Sequence, residues 1–387
     1  MDEMLYWDNA ATTWPKPECV YKFMDSFYRS GGFNAGRGSH AGAVGAGILI
    51  AETREKIKRL LHAENKLCVF TPSATVGLNM LLQGFVRLGA RRVYLSPFEH
   101  NAVTRVLKGM ESYAAGLEVQ LLSVDKETLS YDLAAIKTQF EAAKPDLVVV
   151  SQVSNVCGLV APVWRIFALA KEYGAATVCD LAQSAGLIDE HYGSEVVDAA
   201  VFAGHKTLYG PTGTGGFIIK PELTLPPVLF GGTGTESANQ DMPQEGEQRY
   251  EPGTLNIAGI AGLNAALRFI EETGLLRLRG HEVEVRRKLL ELLREFSFVH
   301  VVGDAPGAEY TGIVSCVFDG LSALEAGQVL SRLGVAVRAG LQCAPLAHKF
   351  LGTFPGGTVR LSASYFTGEW ELSGLRMALE KMGRGPW

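Results

Sequence analysis

The run Leu147-Val148-Val149-Val150 carries no polar side chain. A strand with one face in water alternates apolar and polar residues. A continuous apolar strand is covered on both faces, as in a parallel sheet flanked by helices. This run does not stand alone. Short apolar stretches at 67–71, 92–96, 118–124, 176–181 and 199–203 also read as strands. Segments of helical spacing fall between most of them, at 74–86, 101–114, 133–143 and 163–173, and another occupies the second half of 41–62. Strands alternating with helices argue an α/β fold built on a parallel sheet.

The pattern changes after Gly216. A second apolar run covers 217–219, and residues 221–253 then hold five of the sixteen prolines and show no clear period. So long an aperiodic segment reads as a functional loop or an interface. A helical region over 257–296, interrupted near Gly274, leads to a second unit. Its expected elements are strands at 299–302, 312–318, 335–338 and 358–362 and helices at 323–333 and 369–382, with Ser322 and Glu325 as a capping box. The expected division is an N-terminal arm over 1–15, a large domain over 16–264 and a small C-terminal domain over 265–387.

Composition narrows the partners. With 387 residues, 47% hydrophobic and 20% charged, the chain has the balance of a globular protein with a large core. A net charge of -5 leaves no basic footprint, so no nucleic-acid partner is expected. No apolar run reaches the ~20 residues that span a bilayer, so no membrane partner is expected. The start, Met1-Asp2-Glu3, lacks a basic region followed by an apolar core, so the expected location is cytoplasmic. Six cysteines are widely spaced with no CxxC, which argues reduced thiols and no metal site.

Candidate chemistry sits at strand ends and helix starts, where open parallel sheets bind ligands. The strand 199–203 delivers Lys206 to its end, just before a glycine-rich turn. Apolar walls lower an amine's pKa and make it a nucleophile toward carbonyls, as in a Schiff-base lysine; the plain alternative is a solvated strand cap. Asp180 lies inside the apolar strand 176–181, where a carboxylate needs a cation, in a ligand or in a structural arginine. Ser73-Ala74-Thr75 opens a helix and suits a phosphate, or is simply an N-cap. His100 follows strand 92–96 and could stack on a flat ring or move protons. Asn155 follows strand 147–152 with an amide that donates and accepts. A phosphate site, a stacking imidazole, a buried acid and a buried lysine are together what pyridoxal 5'-phosphate requires.

The segments Gly204-His205-Lys206-Thr207-Leu208-Tyr209-Gly210-Pro211, Asp180-Leu181-Ala182-Gln183 and Arg338-Ala339-Gly340-Leu341-Gln342-Cys343-Ala344 resemble the class V aminotransferases of the cysteine desulfurase group. The resemblance is nearest to those with a short catalytic-cysteine loop, which also accept selenocysteine, and it runs from Asp8-Asn9-Ala10-Ala11-Thr12 to the strand at Arg360. It implies the pyridoxal-phosphate-dependent transferase fold type I, with a mostly parallel seven-stranded sheet and a smaller α+β C-terminal domain. The implied activity converts L-cysteine, or L-selenocysteine, to L-alanine. By the same resemblance Lys206 is the Schiff-base lysine and base, Asp180 pairs with the ring nitrogen, Gln183 contacts the phenolic oxygen and His100 stacks on the ring. Thr75, His205 and the position of Ala74 hold the phosphate, and Thr254 reaches it across a homodimer. Asn155, Arg360 and Arg338 bind the substrate, and Cys343 attacks its sulfur and becomes a persulfide, which a sulfur-acceptor protein could then take.

Four places depart from the family's usual residues, one of them the Tyr365-Phe366-Thr367-Gly368 stretch, which lacks an asparagine common there. Ala203 and Ala74 stand where hydroxyl residues are common, which thins the phosphate cup and leaves Ser73 and Thr207 as hydroxyls that could refill it. Gln342 stands where a histidine often precedes the cysteine. Residues 338–348 read as a mobile loop around Cys343, whose plain alternative is a buried loop cysteine. Two rival functions stay open: a selenocysteine lyase or other class V enzyme that does not use Cys343, and a catalytically silent cofactor-binding scaffold.

Overall fold

The structure, a computed structural model, describes residues 4–35, 38, 40–234 and 238–385. The acidic start, Met1 to Glu3, lies outside them. In chain order the elements begin with β1 (Leu5–Tyr6), α1 (Glu18–Gly31), α2 (Ala41–Leu60), β2 (Leu67–Thr71), α3 (Ala74–Arg87), β3 (Arg92–Leu95), α4 (Asn101–Met110) and β4 (Glu118–Leu121). Then come α5 (Leu133–Ala142), β5 (Leu147–Ser151), α6 (Val163–Glu172), β6 (Ala176–Asp180), β7 (Ala199–Ala203) and β8 (Gly215–Ile219). They combine into a seven-stranded sheet of order β2-β8-β7-β6-β5-β3-β4. Only β8 runs against the others, pairing antiparallel with both β2 and β7.

Alternate residues of each central strand bury on opposite faces. Val148, Val150, Ala200, Phe202 and Ile218 join one core cluster, while Leu147, Val149, Val201, Phe217 and Ile219 join another. Every residue of β5, β7 and β8 is buried. That explains why these runs lack a polar side: no face of the strand meets water.

The remaining elements are α7 (Ile257–Thr273), α8 (Leu275–Arg294), β9 (Val299–Val302), β10 (Ile313–Phe318), α9 (Ala323–Arg332), β11 (Val335–Ala336), β12 (Arg338–Gly340), α10 (Pro345–Phe350), β13 (Thr358–Ser362) and α11 (Glu369–Gly383). A second sheet, β12-β13-β10-β9, is antiparallel throughout. Its side chains form a separate core with α8, α9 and α11. The expected capping box on α9 is present, with Ser322 and Glu325 satisfying each other's backbone N–H groups. Helix α7 runs unbroken through residues 264 and 265, and Ile260, Leu263, Ala266 and Ile270 along it belong to the large-sheet core.

Two features differ from the sequence reading. Helix α1 was not anticipated: its Phe23 and Met24 pack on the large-sheet core, while Tyr21 and Tyr28 stay exposed among charged residues and interrupt the polar pattern. The segment 338–348 is not an unstructured loop, because β12 occupies its start and α10 begins at Pro345. Proline suits the first turn of a helix, where its missing N–H has no partner to lose. The arm, a short strand followed by a loop over 7–17, is tied down along its length. Strand β1 pairs parallel with β11, Trp7 is fully buried, and Thr12 and Thr13 donate hydrogen bonds to the carbonyls of His205 and Lys206. The arm therefore stitches the small sheet to the turn that carries the lysine.

Candidate active site

The carboxyl ends of β5, β6 and β7 open on one cleft, together with the N-termini of α3 and α4. Its lining includes Ala74, Thr75, His100, Asn155, Asp180, Gln183, His205 and Lys206. Residues separated by more than a hundred positions thus meet where a parallel sheet places them.

Lys206 stands three residues beyond β7. The residue is only half-buried as a whole, but the walls keep water from its amine. That desolvation lowers its pKa to about 8, with Asp180 opposing the shift and Arg360 assisting it. A neutral amine is therefore accessible near physiological pH, as a nucleophile toward a carbonyl requires. Asp180 ends β6 at 6% exposure. Its Oδ1 accepts a hydrogen bond from the Ala182 N–H at 2.8 Å, and burial raises its pKa, with that bond and the Lys206 charge pulling it back. Among the described residues no arginine pairs with it. The structural arginine pair is thus absent, and Lys206 is the cation whose charge reaches the carboxylate across the cleft.

His100 caps α4, its Nδ1 accepting from the Ala102 N–H at 3.0 Å. Burial, with Lys206 next, lowers its pKa to about 4, so the ring is neutral and carries its proton on Nε2. Gln183 donates from Nε2 to the Ala10 carbonyl at 2.8 Å, which holds its amide at the cleft wall. Glu99, to which no role was assigned from sequence, lies fully buried beside His100. Its two oxygens accept from the N–H and hydroxyl of Ser151, and burial raises its pKa to about 8. The available signal was an acid next to the apolar Phe98 in the short connection from β3 to α4.

The phosphate end has an identifiable shape. Ser73 caps α3 by accepting from the Val76 N–H, which leaves its O–H available as a donor. Gly215 brings β8 so close that a Cβ there would lie 2.8 Å from the Ala74 nitrogen. His205 Nδ1 and Thr207 Oγ1 are buried without a hydrogen-bond partner. Buried polar atoms rarely go unpaired, so His205, which lines the cleft, marks a place for a polar group there. Together with the helix start, the buried Asp180 and the softened Lys206, it fits pyridoxal phosphate. Thr254 lines a different cavity of about 460 Å³ with Thr71, Gly213 and Leu255.

Above the cleft, the turn bearing Cys343 is pinned from below. The Asn101 N–H donates to the Cys343 carbonyl at 2.7 Å, and Asn155 Nδ2 donates to the Gln342 carbonyl at 2.7 Å. Gln342 and Cys343 both have positive φ, 41° and 56°, a tight turn that leaves the Cys343 side chain exposed. The Gln342 side chain points away, into the small sheet: its Nε2 donates to the Thr358 carbonyl and its Oε1 accepts from His348. Arg360, 3% exposed, donates to the Asn155 carbonyl and to Asp8 Oδ1, and Arg338 donates to Asp8 Oδ2. The sequence reading assigned no role to Asp8, although its segment was prominent.

Comparison with known proteins places this geometry. A probable cysteine desulfurase of Pyrococcus abyssi is 30% identical over 388 residues, covering 98% of this chain and 94% of its own. One of Halalkalibacterium halodurans is 31% identical, with 98% and 93% covered. The apo structure of the cysteine desulfurase from Thermococcus onnurineus superposes with a TM-score of 0.91 at 29% identity, covering all of this chain and 96% of that one. Residues 5–375 match the family described as Aminotransferase class-V. That match starts in the first strand of the arm, ends in α11 and encloses every residue of the cleft, and the chain belongs to the class-V aminotransferase family.

Proposed function

We propose that the protein is a pyridoxal-phosphate-dependent cysteine desulfurase that converts L-cysteine to L-alanine and leaves the sulfur as a persulfide on Cys343. Relatives of that name along nearly the whole chain support the reading. The observation that carries it is the pinned Cys343 turn. Asn101 and Asn155, both at the cleft, hold the backbone of an exposed cysteine at its rim, and transamination alone has no use for a thiol there.

Lys206 would hold the cofactor and move protons at the substrate's α-carbon. Asp180 would hold the ring nitrogen, His100 would stack on the ring and Gln183 would contact its phenolic oxygen. Thr75, the Ala74 backbone, His205 and Thr207 would hold the phosphate. The chemistry that pyridoxal phosphate supplies when bound is an electron sink for the α-carbon. The protein's own contribution is charge and position. Neutral His100 offers a flat uncharged face, and buried Asp180, which no arginine pairs, favours a protonated partner. Arg360 and Arg338 supply positive charge for a carboxylate, and Asn155 fixes Arg360 through its carbonyl. The Cys343 thiolate would form an S–S bond to the substrate sulfur as the C–S bond breaks. The bonding pair stays with the carbon fragment, which takes a proton and leaves as L-alanine. Gln342 is engaged elsewhere and takes no part in proton transfer.

The assembly is proposed to be a homodimer in which Thr254 of one copy reaches the phosphate of the other, and the proposed location is the cytoplasm. No described helix is long and apolar enough to cross a membrane. The test is to supply L-cysteine and a reductant to the purified, cofactor-loaded protein and to measure sulfide and alanine together. Equal amounts of both are expected. Pyruvate or another oxo acid in place of alanine would move the assignment to an aminotransferase.

A further inference from the structure

Asp8 is held between two arginines at the rim of the cleft. Its Oδ1 lies 2.9 Å from an Arg360 terminal nitrogen and its Oδ2 lies 3.1 Å from one of Arg338. The geometry is not the accident of a mobile tail. Trp7 beside it is fully buried, Asn9 donates to the Ser362 carbonyl at 2.9 Å, and Asp8 itself bridges to Ser362. Arg360 keeps one unused donor: its Nε is buried and has no partner. The other arginine, Arg338, is 49% exposed.

We propose that Asp8 is a specificity-determining residue that sets the charge of the carboxylate pocket, so that the site takes amino acids with one carboxylate and an uncharged side chain and rejects those with a second acidic group. The inference rests on the reading that this cleft receives an amino acid by its carboxylate. Two arginines and one aspartate leave a single net positive charge. One substrate carboxylate, bound beside the two guanidinium groups, balances it. A second acid group in the same low-dielectric space would face Asp8 with no cation left unpaired, and an excess buried charge is strongly unfavourable. Rejection then comes from a built-in repulsive group rather than from a missing contact.

The probes are propionate and succinate, which carry one and two carboxylates and no amine that could react. Their affinities are read in two ways: as inhibition constants against L-cysteine turnover, and as shifts in the melting temperature of the protein with and without cofactor. The second reading needs no desulfurase activity, so a failure of the proposed function leaves it intact. Asp8→Asn should move the succinate-to-propionate affinity ratio toward succinate by at least about tenfold, which is ~1.4 kcal/mol of interaction. The double variant D8N/R338Q restores one net charge and should return the ratio to near the wild-type value. Arg338→Gln alone should move the ratio the other way, and it covers the case in which Asp8→Asn fails to fold. A merely structural Asp8 would weaken both probes together and gain nothing from the second substitution. An unchanged ratio in Asp8→Asn, an uncorrected ratio in the double variant, or a ratio moved toward succinate by Arg338→Gln would overturn the proposal.

Discussion

Cys343 and Glu99 show how differently two groups near one cleft can be used. The cysteine is exposed, and its turn is tied down by bonds to its backbone rather than to its sulfur, so the thiol stays free to approach a ligand. Serine preserves that turn but is a poor nucleophile toward sulfur. Cys343→Ser should load cofactor normally, while sulfide release from L-cysteine falls at least ~100-fold, about 2.7 kcal/mol of transition-state stabilisation. The check is alanine formed per minute, with mass spectrometry locating the persulfide; wild-type rates would remove Cys343 from the mechanism. Glu99 is sealed in and acts through protonation. Burial raises its pKa from 4.5 to about 8, so the folded chain binds that proton more tightly than the unfolded one. Its contribution to stability is fully present below pH 4.5 and is lost as pH rises through about 8. Glu99→Gln mimics the neutral form. Its melting temperature relative to the wild type should therefore rise between pH 5 and pH 9, and a difference independent of pH would show that Glu99 is ionised in the fold.

The hairpin of β7 and β8 does the same work at the level of an element. Two strands buried on both faces turn back over a glycine-rich segment, and the turn holds Lys206 against the start of α3. The closeness is steric. A Cβ on Gly204 would lie 2.2 Å from the Thr214 hydroxyl and 3.0 Å from the Thr214 carbonyl. The Gly204 N–H also donates to that carbonyl at 3.0 Å, so the backbone has little room to yield. Gly204→Ala should cost about 1–3 kcal/mol, as overpacking in cores does. It should also loosen the cofactor, because His205 and Lys206 follow directly. Calorimetric melting and the visible absorbance of bound cofactor give the two readings. A variant with unchanged stability and full loading would mean that the turn is softer than its contacts indicate.

At the scale of the whole molecule, α1 and the segment 221–253 leave apolar side chains uncovered. Tyr21, Met24 and Tyr28 line one shallow cavity, and Leu229 borders the one that contains Thr254. A homodimer would cover such surface. If Thr254 serves the other copy's site, a Lys206→Ala chain mixed with a Thr254→Ala chain gives one site with both defects and one with neither. Activity should recover to a substantial fraction of wild type on mixing two weak or inactive parents. A fully active monomer in a sizing experiment would refute the shared site.

Much of this was legible in the residues. The strands of the large sheet and the helices between them follow from runs that have no polar side, because a doubly covered strand admits only apolar residues. Lys206 and Asp180 stood out for the opposite reason: charge in such runs is unfavourable unless a partner or a ligand justifies it. What the residues could not convey was meeting. Asp8 and Arg360 are 352 positions apart, and no periodicity links them. Gln342 reads as a neighbour of Cys343 in sequence, yet the positive φ at both residues sends its side chain into the small sheet. Helix α1 lay hidden because Tyr21 and Tyr28 stand among the charged residues of its outward face and blur the apolar stripe. Local pattern determined which segments are strands and which charges are out of place. Only the folded chain decided which of those charges face one another, because the arm must lie along β13 of the small sheet before Asp8 can reach either arginine.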